Sequence, residues 1–511
     1  MIVTVILKWL RCHATVVTLF AILILAAFLR FYRYDLRWGL AADQARDALV
    51  TRVALRLHTL PLIGPFSASG PYVFGPFWYW ILMIPIGLFP HSVLAPWIFL
   101  TLLYIFMVYL MFCIGKNLVD SRFGILLAFL TAVSPAEIML STNLIMSAFV
   151  GFLSVCVYFF FIRYLKEKRT SDVVIMSFLI GLSINIHFEA IPLTLLLVLA
   201  FTFGERKITH ILPSIVLFLL PFIPLAIFNA RTNSYELYGI FHPHVSTIQP
   251  TVWTKVWSIG LQEINFFRTI VPRAWTRVIG GYLPIMIGNI ILALLFIIAG
   301  YVFIFRKVVV KEMRIFLFAG LGMAVIVGCY PGTLFVNFLA FFYPLLLIFT
   351  VWIWYRLQKI QPIVGAVFMV IIFCLSLVAD GQSISQAVNF DAEAASAFTG
   401  ALINRYPQAK FSLFNYTMQN LDKGLSLSLF LDVRGKIDSK GEQIGFAVIG
   451  SPVHHQILFD GPPDSGLRIY DVRGTSKEAL KKEGFVPINP EEVYASVEQW
   501  YKNSEAQHYE E

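Results

Sequence analysis

The chain has 511 residues, 58% of them hydrophobic and 14% charged, with a formal net charge of +9. A soluble chain of this length carries roughly 25% charged residues, so a water-soluble globular protein is excluded and most of the chain is expected to have no water-facing surface. The positive balance suits loops held against anionic lipid and does not call for a nucleic-acid partner.

The first apolar run, Ala14 to Leu29, follows Lys8 and Arg11. No small-residue cleavage site follows it, so it is expected to be a retained first span and not a signal peptide. A spanning helix needs about 20 predominantly apolar residues. By that criterion about eleven spans are expected, at 14–31, 92–114, 122–139, 143–163, 172–188, 190–204, 209–228, 284–305, 314–330, 333–355 and 361–379. The apolar stretch 76–89 is short and studded with Pro and Gly, which predicts a half-inserted helix at the outer interface.

Charge supports this order. With a cytoplasmic N-terminus, the inner loops carry Lys116 and Arg122, then Arg163, Lys166, Lys168 and Arg169, then Arg206 and Lys207. They continue with Arg306, Lys307, Lys311 and Arg314, and end with Arg356 and Lys359, so every short inner loop is basic, as the positive-inside rule requires. The expected fold is an all-α polytopic membrane bundle over residues 1–379, with long outer loops at 30–91 and 229–283. Residues 380–511 form a small extracytoplasmic α/β domain, in which Phe411–Tyr416, Ser426–Val433, Ile444–Ile449 and Leu467–Val472 read as strands. Asp391–Asn404, Lys477–Glu483 and Glu491–Trp500 read as helices. In the second loop, Trp253, Trp257, Leu261, Ile264 and Phe267 share one helical face, the pattern of an interfacial amphipathic helix. The cysteines Cys12, Cys113, Cys156, Cys329 and Cys374 lie in or beside apolar runs and imply no disulfide framework.

The first outer loop holds the densest chemistry. Arg30, Arg33, Arg37, Arg46, Arg52 and Arg56 stand there against Asp35, Asp43 and Asp47. Outer arginines run against the charge trend and need anionic partners, which lipid headgroups or a phosphate-bearing substrate would supply, because guanidinium binds phosphate bidentately. For Arg30 and Arg33 headgroup contact is the plainer reading. Helical spacing puts Asp43, Arg46 and Asp47 on one face. A carboxylate there serves as a surface ion pair, as a general base toward an acceptor hydroxyl, or as a ligand to a divalent cation.

The run Asp43-Gln44-Ala45-Arg46-Asp47-Ala48 is followed by Leu60-Pro61-Leu62-Ile63-Gly64-Pro65, Ser69-Gly70 and Gly75-Pro76-Phe77-Trp78-Tyr79-Trp80. This order, with Ala132-Val133-Ser134-Pro135, Ser141-Thr142-Asn143 and Asn185-Ile186-His187-Phe188-Glu189-Ala190, resembles the bacterial protein O-mannosyltransferase-like group of GT-C membrane glycosyltransferases. The resemblance spans roughly residues 14–350 and leaves the tail without a family signature. It implies transfer of a sugar from a polyprenyl-phosphate donor outside the membrane, usually with inversion, and it implies Asp43 as the catalytic acid. Two departures stand out. Where several members of the class carry a second acid after the third span, this chain has Asn143. The aminoarabinose transferases have a lysine where this chain has Gly75, so phosphate binding must come from elsewhere.

The remaining candidates each have a bland alternative. His187 and Glu189, at an outer helix turn, either bind sugar hydroxyls or the lipid phosphate, or form a solvated turn. Arg231 ends the seventh span and is a phosphate contact or a headgroup contact. His242-Pro243-His244 lacks the extra ligand that a metal site needs. Arg268, Arg273 and Arg277 suit headgroups, and His454-His455 suits a structural role. Trp78, Tyr79 and Trp80 stack on a sugar or anchor at the interface. The expectation is a multi-pass protein of the plasma (inner) membrane. Asp43 is its catalytic carboxylate, and Arg37, Arg46, Asp47, Tyr79, Asn143, His187, Glu189 and Arg231 contact substrate. A divalent cation (Mg or Mn) would sit at Asp43, and the acceptor would be a glycan, lipid or protein. A transporter or flippase of a lipid-linked sugar, or a non-catalytic scaffold of the same fold, are the alternatives.

Overall fold

The computed structural model describes residues 13–66, 73–232, 266–280, 311–329, 336–385, 389–416, 421–448, 451, 453–460 and 467–495. The expected span 284–305, the Trp253–Ile264 face, His242, His244 and Ser69-Gly70 lie outside them. The helices ahead of the tail are α1 (Ala14–Phe31), α2 (Ala42–Arg56), α3 (Phe77–Leu88), α4 (Ala95–Leu118), α5 (Ser121–Ala132), α6 (Pro135–Ser141), α7 (Met146–Glu167) and α8 (Thr170–Ile186). They continue with α9 (Thr194–Phe203), α10 (Ile208–Leu219), α11 (Ile223–Arg231), α12 (Val271–Gly280), α13 (Lys311–Gly328), α14 (Tyr343–Ile360) and α15 (Pro362–Ser385).

Among the described residues six helices are long and apolar enough to cross a membrane, seven if the bent α5–α6 pair counts as one span. This is an integral membrane protein. The six are α1, α4, α7, α15 and the runs Ile208–Arg231 and Asn337–Ile360. Thr170–Ile186 and Phe188–Phe203, expected as full spans, are shorter apolar helices. Helix α3 has 12 residues with Pro85 inside it, so at 1.5 Å per residue it reaches about 18 Å, well short of the bilayer's hydrocarbon core.

Local chemistry explains several boundaries. Asp120 caps α5, accepting from the backbone N–H of Phe123 at 2.8 Å. The α4–α5 hairpin closes on glycine, because a Cβ on Gly115 would lie 2.7 Å from the Gly124 Cα. Ser134-Pro135 breaks α5 from α6 with a 60° bend, since the residue before proline avoids the helical region.

The tail begins with α16 (Phe390–Arg405) and continues β1 (Phe411–Tyr416), α17 (Leu421–Val433), β2 (Glu442–Val448), β3 (Gln456–Asp460), β4 (Leu467–Asp471), α18 (Lys477–Lys482) and β5 (Phe485–Pro487). The sheet order is β3-β4-β2-β1-β5. β1 and β2 are parallel and joined through α17, while the other pairings are antiparallel. Ser426–Val433, expected as a strand, lies within helix α17. The alternation Leu425-Ser426-Leu427-Ser428-Leu429 imitates a strand, yet leucines and serines alike are buried. The serines are small enough to let the helix be covered on all sides, and Ser428 donates to the Ile488 carbonyl at 2.7 Å.

The outer arginines all find partners inside the protein. Arg30, expected at headgroups, is fully buried and donates to the carbonyls of Ala26, Thr131 and Ala132, where a cation suits the C-terminal end of α5. Arg33 reaches the Ile384 carbonyl at 3.3 Å. Arg37 donates to the carbonyls of Leu29 (2.6 Å) and Tyr32 (3.0 Å), closing the end of α1. Arg52 and Arg56 both bind Asp432 of α17, and Arg56 also binds Glu491 at 3.0 Å. Thus the first outer loop and the tail are joined by charge. Replacing Gly124 with leucine should separate α4 from α5, at a cost of roughly 1–3 kcal/mol. A lowered thermal unfolding midpoint in detergent would register it, and an unchanged midpoint would refute the close packing.

Candidate active site

Helix α2 starts without a side-chain cap at Ala41, so the positive end of its dipole favours an acidic side chain in the first turn. Asp43 occupies that turn with its side chain 73% exposed, and its Oδ1 lies 2.9 Å from Arg46 Nη1. Arg46 also gives Nε and Nη2 to Asp47 Oδ1, at 3.0 and 2.8 Å. Asp47 is buried, and its Oδ2 accepts from Trp78 Nε1 at 2.7 Å. Tyr79, on the same helix as Trp78, is fully buried with Arg46 and Asp47 in its electrostatic surroundings. Burial pushes the Asp47 carboxyl up, against the pull of Arg46 and the Trp78 N–H. The result is a rigid chain from a buried carboxylate through a guanidinium to an exposed carboxylate.

Asn143 stands beside this helix. It accepts from Gln44 Nε2 at 3.0 Å, while the Gln44 Oε1 is buried without a hydrogen-bond partner. The Gly39 N–H donates to the Thr142 carbonyl at 2.9 Å, and a Cβ on Gly39 would sit 2.8 Å from Asn143 Oδ1. Only glycine lets the two segments run this close. An acid lies inside the bent third span, Glu137 on α6, buried within electrostatic reach of Arg30, and its Oε1 has no hydrogen-bond partner.

His187 and Glu189 form a second group. The Glu189 N–H donates to His187 Nδ1 at 3.3 Å, and Ser147 Oγ donates to Glu189 Oε2 at 2.9 Å. The other carboxylate oxygen, Oε1, is buried without a hydrogen-bond partner. The His187 ring stacks on Phe74 (4.6 Å) and tilts against Phe338 (5.1 Å). Two chain segments tie this group to the first. The Gly75 N–H donates to the Asn185 carbonyl at 2.6 Å, three residues before Trp78. Trp78 itself packs edge-on against Phe149, two residues after Ser147, at 6.2 Å. Gly75, which stands where the aminoarabinose transferases have lysine, has no room for any side chain, since a Cβ there would fall 2.0 Å from Asn185.

Arg277 was expected at lipid headgroups. It is half-buried on α12 and donates Nη1 to Asn337 Oδ1 at 3.0 Å, with the Tyr343 hydroxyl beside it. Asn337 adjoins Phe338, so Arg277 is carried toward His187. No carboxylate pairs with Arg277 among the described residues. Arg268 and Arg273 on the same stretch are exposed, and Arg231 is exposed at the end of α11. Arg37 is committed to the end of α1. Gln44, Ser147, Arg277 and Asn337 therefore join the site without having been singled out for it by sequence. By sequence Arg277 groups with Arg268 and Arg273 as a headgroup contact, and only its lower exposure sets it apart.

Residues 71–228 match the family described as dolichyl-phosphate-mannose-protein mannosyltransferase. The fold is that of ArnT from Cupriavidus metallidurans. Its apo crystal structure aligns with a TM-score of 0.59 at 11% identity, covering 90% of this chain and 98% of that one. The same protein bound to undecaprenyl phosphate aligns at 0.58, with the same identity and coverage. The archaeal oligosaccharyltransferase AglB from Archaeoglobus fulgidus, in complex with an inhibitory peptide and a dolichol-phosphate, gives 0.48 at 12% identity, covering 96% of this chain and 77% of that one. No curated protein matches the chain in sequence. The family match over residues 71–228 and the shared fold are what the chain has in common with the GT-C membrane glycosyltransferases.

Because Trp78 satisfies a buried carboxylate, Trp78→Phe should cost roughly 1–3 kcal/mol, read as a lower thermal unfolding midpoint. No change would mean that Asp47 does not depend on the indole N–H.

Proposed function

We propose that the protein transfers a sugar from a polyprenyl-phosphate donor to an acceptor hydroxyl on the outer face of the membrane, by a single inverting displacement. The observation that carries this reading is the exposed Asp43 carboxylate, fixed through Arg46 to the buried Asp47–Trp78 pair. Asp43 takes the proton of the acceptor hydroxyl as that oxygen attacks the anomeric carbon. The bond from that carbon to the phosphate oxygen breaks, and polyprenyl phosphate leaves.

The leaving phosphate needs a cation aimed at it. Arg46 is a poor choice, since two carboxylates already engage it and the Asp43–Arg46–Asp47 trio carries a net negative charge. Arg277 has no carboxylate partner among the described residues and is the better one, with the Tyr343 hydroxyl alongside. His187 and Glu189, walled by Phe74 and Phe338, are read as sugar contacts. Among the described residues no three His, Cys, Asp or Glu side chains gather as metal ligands. A divalent cation would be held by Asp43, the free Gln44 Oε1 and the donor's own phosphate, where it would supply charge to the leaving group.

We place this site in the plasma (inner) membrane with about eleven spans, the N-terminus cytoplasmic and residues 380–511 outside. The basic short inner loops support that order, and the domain boundary falls at 379/380.

Asp43→Asn should reduce transfer by about 10²-fold or more and leave the unfolding temperature intact. The measurement is release of label from a panel of radiolabelled polyprenyl-phosphate sugars by purified protein in lipid, with and without divalent cation and chelator. Full activity in that variant would sink the assignment. Arg277→Ala should lower kcat more than it raises KM, because its contribution belongs to the departing phosphate. An unaltered kcat would return the phosphate to another cation.

A further inference from the structure

We propose that Asp432, on helix α17 of the tail, is a positioning residue for the catalytic helix α2, so that the tail latches the membrane site. This rests on the reading of Asp43 given above.

The tail grips the first outer loop at two places that flank Asp43, Arg46 and Asp47. Ahead of them, Asn389 Nδ2 donates to the Trp38 carbonyl at 2.7 Å, and the Trp38 ring stacks on Phe430 of α17 at 6.4 Å. Behind them, Asp432 accepts from Arg52 Nε at 2.5 Å and from Arg56 Nη1. Arg52 and Arg56 lie one turn apart on one face of α2, so a single carboxylate spans both.

Asp432 is out of water, with its side chain 3% exposed. A carboxylate that buried is stabilised only by its partners, which makes the contact specific to one geometry. Arg52 also donates to the Pro90 carbonyl at 2.7 Å, just past the end of α3. The same guanidinium therefore ties α2 to α3, the helix whose Trp78 holds Asp47. Glu491 and Tyr494 add contacts to Arg56 and Thr59, at 3.0 and 3.3 Å. These are exposed and contribute little alone. A tail that served only to bind acceptor would need no buried charge against the loop that carries the reaction. The geometry instead fixes the rotation and height of α2, and so the direction in which Asp43 projects.

The test uses full-length protein in lipid nanodiscs, comparing Asp432→Ala and Asp432→Glu with the parent. Hydrogen exchange of the amides in 42–56 is measured beside kcat and donor KM. In Asp432→Ala, exchange there should quicken by about tenfold or more, and kcat should fall roughly 10- to 100-fold with donor KM held. Asp432→Glu, which restores the charge, should recover much of both. If the alanine variant does not fold, the isosteric Asp432→Asn carries the same expectations. Unchanged exchange in 42–56 overturns the latch. Faster exchange with unchanged kcat also overturns it, and leaves Asp432 as a mere anchor. The catalytic reading fails separately, by full turnover in Asp43→Asn, whatever the exchange data show.

Discussion

A carboxylate removed from water must be held by charge and hydrogen bonds, and Asp47 is where this chain meets that demand. Arg46 answers it from the same helix and Trp78 from the next. Those two bonds decide how α2 and α3 lie against each other. They orient Arg46 so that its remaining N–H groups meet Asp43 at the surface. They also hold the start of α3, where Gly75 and Phe77 engage Asn185 and bring Phe74 onto His187. The two polar groups of the site are thus joined through a single buried side chain, which is why a short apolar helix sits beside a charged one.

The charge inventory of the outer face follows from the same logic. Arginines expected at headgroups (Arg30), at substrate (Arg37) or at either anion (Arg52 and Arg56) are instead spent on helix ends and on the tail. Arg30 and Arg37 neutralise terminal carbonyls of α5 and α1, and Arg52 and Arg56 meet Asp432. What remains for an anionic substrate is a cation without a carboxylate partner among the described residues, and Arg277, bound to Asn337, fits that description. A site that binds phosphate through a cation and also carries a carboxylate must keep the cation and the carboxylate apart, or the two pair and the cation is lost to the phosphate. Here the carboxylate rides on α2 and the guanidinium, bound to Asn337, on α12.

Much of this was legible in the sequence where one physical signal dominated. Long apolar runs gave the spans of α1, α4, α7 and α15 because burial in lipid admits little else. The strands at Phe411–Tyr416 and Leu467–Asp471 stood out by composition. Helical spacing put Asp43, Arg46 and Asp47 together, but spacing gives proximity and not depth, so one exposed and one buried acid looked alike. Ser426–Val433 misled because alternating leucine and serine is ambiguous when both kinds are buried. The partners of Arg52 and Arg56 lie hundreds of residues away, beyond any local pattern, and Arg277 was masked by neighbours that do face outward.

The bond between Arg56 and Asp432 joins residues 376 positions apart. A ribosome adding about 5–20 residues per second makes the second roughly 20–75 s after the first. During that interval Arg52 and Arg56 have no tail carboxylate to meet, so the loop that bears Asp43 gains its last fixed contacts only when α17 has been made and folded.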